Sequence, residues 1–88
     1  MSLFEVKVKP ERFGQILKGF ESFLVTRYDR VFKRGDTLWL CEYDGARKDF
    51  TGRRLSCMCI SCVTDYDVEG LAEDFCILTL KNVRVLEG

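Results

Sequence analysis

The sequence predicts a single α+β domain, mainly β: a small mixed barrel of five or six strands with one N-terminal helix. Three observations carry this reading. Apolar and polar residues alternate over several short stretches, helical spacing occurs once, and turns rich in Gly and Asp separate the stretches. The 88 residues suffice for one domain with a thin core. The hydrophobic content of 47% supports a globular fold, and the charged 32% is of mixed sign, which argues against disorder. The domain is taken as residues 1–88, with Met1–Leu3 and Glu87–Gly88 given no functional weight, and no repeat or linker divides it.

Phe4, Val6 and Val8 alternate with Glu5 and Lys7, the pattern of a half-buried strand. Pro10 suits the first turn of a helix, and Phe13, Ile16, Leu17 and Phe20 follow at helical spacing. Gly19 is the stop signal, so a helix is expected over about residues 10–18. Glu21–Tyr28 reads as a second strand with Phe23 and Val25 on one face. A polar turn region, Asp29–Gly35, leads into Asp36–Tyr43, where Leu38, Leu40 and Glu42 alternate with Thr37, Trp39, Cys41 and Tyr43. A loop is expected from Asp44-Gly45 through Asp49, then a strand over Leu55–Val63 and an acidic connection with Asp65, Asp67 and Glu69. Phe75–Leu80 reads as the last core strand and Val83–Leu86 as an added edge.

Charge and hydropathy narrow the class. No run of about 18 apolar residues and no basic-then-apolar leader occurs, so a cytoplasmic domain with no membrane partner is expected. The net charge of zero gives no diffuse attraction to nucleic acid, so such binding requires a local patch. Residues 1–54 carry 12 Lys+Arg against 8 Asp+Glu, and residues 55–88 carry 2 against 6, so the basic charge sits in the N-terminal part.

Five cysteines include Cys57-x-Cys59-x-x-Cys62, a spacing reminiscent of metal ligands. The chain has no histidine, the count is odd, and no Gly or Pro supplies a knuckle turn. On a strand Cys57 and Cys59 point the same way, roughly 6–7 Å apart, and Cys62 points to the other face. Small buried thiols are therefore expected, with no metal and no cofactor. Without a histidine no common near-neutral acid or base is present, and no phosphate-cradling Gly loop or paired-carboxylate signature appears, so no catalytic residue is assigned.

The run Val31-Phe32-Lys33-Arg34-Gly35-Asp36-Thr37-Leu38, followed by Glu42-Tyr43 and Phe50-Thr51-Gly52-Arg53, resembles the ASCH superfamily (activating signal cointegrator homology), which has a PUA-like fold. It is most similar to a branch of small stand-alone bacterial and phage proteins of unknown function. Gly35 permits a turn conformation that other residues strain to adopt, and Asp36 can cap that turn. Gly35, Asp36, Gly52 and Gly19 are thus read as markers of the fold. The resemblance implies a Lys, a Glu or Thr, and an Arg on the strand after the helix, lining a cleft for RNA or nucleotides. Here Gly19 matches, and those three positions hold Glu21, Leu24 and Thr26. The resemblance therefore carries a binding expectation further than a catalytic one, although a degenerate amidohydrolase-like enzyme is implied by some relatives.

Arg27, Arg30, Lys33 and Arg34 fall within eight residues, with Tyr28, Phe32 and Trp39 nearby and Arg53 and Arg54 further on. Basic groups hold phosphates and aromatic rings stack on bases, the chemistry of single-stranded RNA or nucleotide recognition. The expected ligand-binding set is Arg27, Arg30, Lys33, Arg34, Trp39 and Arg53. A protein-interaction or phage accessory module, including a homodimer paired through an edge such as Val83–Leu86, is the alternative.

Overall fold

The computed structural model describes residues 2–86. Its elements are β1 (Leu3–Val8), α1 (Pro10–Leu17), β2 (Phe23–Arg27), β3 (Thr37–Asp44), β4 (Asp49–Thr64) and β5 (Phe75–Leu86). Strands hold 55% of the chain and helix 9%, in one curled five-stranded half-barrel, so the expected α+β, mainly β class with one helix holds. The strand order is β1-β3-β4-β5-β2. Only β1 and β3 run parallel. β1 and β2 are therefore the two edges, and the curl turns them toward one another.

The helix forms where the sequence places it. Pro10 opens it with a preset φ and no wasted donor, and Phe13 and Ile16 are buried against the sheet. It ends in a Schellman arrangement: Gly19 N–H donates to the Ile16 carbonyl and Phe20 N–H to the Gln15 carbonyl. Gly19 holds φ +81°, the left-handed region that makes glycine the natural residue there.

The core lies on the concave face. Val6, Val8, Leu38, Leu40, Leu55, Leu78 and Leu80 enclose Phe13 and Ile16, together with Cys57, Cys59 and Cys76. Burying these side chains contributes roughly 1.5–3 kcal/mol each for the larger ones. On β2, Phe23 and Val25 share one face, as expected, and that face is the outer one. Leu24, opposite Leu78, is its core residue, whereas Phe23 and Val25 are about half exposed. All three are apolar, so alternation alone left the face open, and pairing with β5 decided it. The strand is also shorter than Glu21–Tyr28.

Three irregularities bend the sheet. Between the pairs Cys41–Arg54 and Tyr43–Phe50, the single residue Glu42 faces Thr51, Gly52 and Arg53. Gly52 takes φ +96° in this bulge. A second shift lies between Ser56 and Met58, opposite Asn82 with φ +58°. Chain curvature there is absorbed without a break, so Phe75–Leu86 is one strand instead of the two segments expected. β4 likewise begins at Asp49, leaving only a short turn after Asp44.

The third shift, between Cys59 and Ser61, makes Ile60 an extra residue. It reverses the alternation, so Cys62 packs against the core side, near Cys76, and does not point to the opposite face. Burial pushes Cys57 and Cys76 up to about 12 and raises Cys41, Cys59 and Cys62. All five thiols are free. In native protein, a disulfide reagent such as Ellman's is expected to modify the half-buried Cys62 first and Cys57, Cys59 and Cys76 only at the rate of unfolding. Rapid labelling of all five in folded protein would contradict this packing.

Candidate functional site

The gap between the two edge strands holds a cavity of about 460 Å³. Glu5, Val6 and Lys7 of β1 form one side, and Thr26 and Arg27 of β2 form the other. Asp29, Arg30 and Phe32 close it from the β2–β3 connection, while Cys41 and Phe50 form its floor.

Strand parity determines what the two edges offer. Thr37 N–H donates to the Ser2 carbonyl, so even-numbered residues of β1 turn their peptide groups to β3 and odd-numbered ones turn outward. The outward carbonyl of Glu5 accepts a bond from Arg30 Nη1 at 3.2 Å. On β2, the Ser22 carbonyl and the Tyr28 N–H bond to Leu80 and Asp74 at the two ends. Leu24 and Thr26 thus pair with β5, and Phe23, Val25 and Arg27 present N–H and C=O to the open side.

The cationic groups are held on aromatic rings. Arg27 Cζ lies 5.1 Å from the Phe75 centroid, and Arg30 Cζ lies 5.5 Å from Phe4 and 5.9 Å from Phe32. Lys7 Nζ lies 4.4 Å from the Tyr43 centroid. Arg30 is also paired with Asp29 at 3.0 Å, and this hydrogen bond holds the Asp29 carboxyl below its usual range. Among the described residues no ion pair engages Lys7 or Arg27.

The structure divides the basic cluster read from the sequence. Arg27 and Arg30 line the cavity. Lys33 and Arg34 lie in the following turn and do not line it; the Lys33 backbone N–H bonds to Asp36, and Arg34 Nε donates to the Ile60 carbonyl at 3.2 Å. Trp39 sits on the sheet face opposite the core with Arg54 Cζ 5.2 Å above its ring. Arg53 is engaged elsewhere. Its Nε and Nη2 each donate to the Glu42 carboxylate at 2.8 Å, and its guanidinium lies 5.0 Å from the Phe13 centroid. Glu42, only 3% exposed, also accepts the Thr51 hydroxyl at 2.5 Å. The Arg53 hydrogen bond, and then that of Thr51, hold its carboxyl below the usual range.

Two marker residues do structural work of the kind their chemistry implied. Gly35 adopts φ +95°, and the buried Asp36 carboxylate accepts Ser2 N–H at 3.0 Å and Lys33 N–H at 2.8 Å. Of the three positions singled out on β2 and before it, Glu21 is paired with Arg12 at 2.6 Å, Leu24 is in the core, and Thr26 reaches the cavity.

Sequence reasoning missed Glu5, Lys7, Cys41 and Phe50. The alternation in Phe4–Val8 already puts Glu5 and Lys7 on the face away from the core, but nothing local says that β2 lies across from them.

Fold and site together define a small half-barrel domain with a cationic, aromatic cleft between its edge strands. The chain belongs to the DUF3850 family, a domain of unknown function, whose match covers residues 3–80. No curated protein matches the chain.

Proposed function

We propose that this domain is a non-catalytic binding module for single-stranded RNA or a nucleotide, held in the cleft between β1 and β2. The observation that carries the reading is the convergence of Arg27, Arg30 and Lys7 on one cavity floored by Phe50. Cations there can hold a phosphate while a ring receives a base. The likeness to the ASCH superfamily supports the same cleft, since Thr26 stands on its wall. Binding is favoured over catalysis because Glu21 is ion-paired outside the cavity lining, Leu24 is buried, and burial raises the Cys41 thiol.

Short single-stranded RNA should bind with an affinity that falls as salt rises, read by fluorescence anisotropy. Losing two phosphate contacts in an Arg27→Ala/Arg30→Ala variant should make the slope of log K against log salt shallower by about 1.4. A variant that binds as tightly as the parent, with the same slope, rules out this site.

A second reading rests on the outward peptide groups of Phe23, Val25 and Arg27. They can accept an added strand from a partner or a second copy. RNA-free protein sedimenting as a dimer that Val25→Pro abolishes would favour it.

A further inference from the structure

We propose that the ligand is an oligonucleotide, not a mononucleotide: the binding path leaves the cleft, crosses the outer face of β1, β3 and β4, and ends at Arg54 and Trp39. This rests on the nucleic-acid reading above and gives the ligand a minimum length and a direction.

A second cavity, of about 140 Å³, is lined by Glu5, Cys41, Phe50, Gly52, Arg53 and Arg54. It shares Glu5, Cys41 and Phe50 with the first, so the two are parts of one groove. Strand register explains its course. Lys7 neighbours Cys41, Cys41 neighbours Arg54, and Trp39 stands between Glu5 and Ser56, all on the face opposite the core. From β1 to β4 is two strand spacings, about 10 Å, which is more than one stacked ring occupies.

The charges along this path alternate. Lys7 and Arg27 stand at the cleft end and Arg54 at the far end, and among the described residues no ion pair engages any of the three. Arg53, by contrast, is held by Glu42. Between the ends stands the Glu5 carboxylate, 4.0 Å from the Cys41 thiol. A phosphate is repelled there and a hydrogen-bond donor is welcome. The occupant must therefore place anionic groups at both ends and a neutral, donor-bearing part in the middle. Successive phosphates separated by a sugar and base meet that requirement. A run of acidic side chains offers backbone N–H donors but leaves Phe50 and Trp39 without a planar partner. Arg54 Cζ already lies 5.2 Å from the Trp39 ring centroid, so a base arriving at this end joins an existing cation–aromatic contact.

Trp39 is the only tryptophan in the chain, so its emission reports occupancy of the far end alone. The test titrates the protein with adenosine monophosphate and with a ribo-tetraadenylate, following both affinity and Trp39 fluorescence. The tetranucleotide should bind about tenfold or more tightly than the monophosphate, the gain of one added base stack, and should quench Trp39. The monophosphate should leave Trp39 emission unchanged. Arg54→Ala should remove most of the tetranucleotide's advantage, and Arg54→Lys, which keeps the charge but not the planar guanidinium, should restore part of it. Equal affinities with no quenching overturn the extended path while leaving the cleft reading intact. If neither ligand binds, both fall. A tetraglutamate peptide that matches the tetranucleotide in affinity and quenching overturns the nucleic-acid assignment of this path.

Discussion

Asp36→Ala is expected to lower the unfolding free energy by about 3 kcal/mol, the sum of two hydrogen bonds to a charged acceptor. The carboxylate is 3% exposed and accepts Ser2 N–H and Lys33 N–H, one on each oxygen. Alanine removes the acceptor from both part-buried donors. The turn itself should survive, because Gly35 N–H still donates to the Cys59 carbonyl and Cys59 N–H to the Asp36 carbonyl. Asn is a poor rescue, since its single carbonyl serves one donor and its amide opposes the other. Urea denaturation of parent, Ala and Asn proteins measures this, and a loss below about 1 kcal/mol would show that water replaces the carboxylate without penalty.

Arg53→Ala should cost about 2 kcal/mol, because it strands a buried carboxylate with only the Thr51 hydroxyl. The figure is kept below that of a fully buried pair because the Arg53 side chain is 55% exposed. For a domain of this size it corresponds to a melting temperature lowered by roughly 10 °C. Acidity tests the cause. The Glu42 carboxyl is depressed in the folded state, so its contribution is fully present above its ordinary value near 4.5 and is lost as pH falls through the lower folded value. The penalty of Arg53→Ala should therefore be large at pH 7 and vanish once Glu42 is protonated in both proteins. A penalty that stays constant from pH 7 to pH 3 would assign the effect to the packing of Arg53 on Phe13.

These two residues show where the sequence was legible. The turn role of Gly35 and Asp36 could be argued from glycine's freedom and a short carboxylate beside it. The pairing of Glu42 with Arg53 could not. Both stood in the recognisable pattern, but only the bulge that sets Glu42 against Thr51, Gly52 and Arg53 explains why they go together, and register is a property of two strands. The same limit governed Cys62, whose facing was reversed by one extra residue. The facing of β2 was undetermined because Phe23, Leu24 and Val25 are all apolar. Half of the cleft was legible for a related reason. Arg27 and Arg30 are close in sequence and could be grouped. Lys7 and Phe50 come from opposite parts of the chain, and the half-barrel's curl brings them to β2.

Four displaced titrations move away from neutrality. Asp36 and Glu42 move downward, through backbone N–H groups in one case and Arg53 in the other, while burial sends Cys57 and Cys76 up to about 12. No histidine fills the space between. The domain thus lacks the usual side-chain proton switch for physiological pH. In a titration between pH 6 and 8, affinity for a terminal phosphate should follow the phosphate's own second ionisation, which falls near pH 6. An internal phosphodiester has no such step and should bind with a constant affinity throughout.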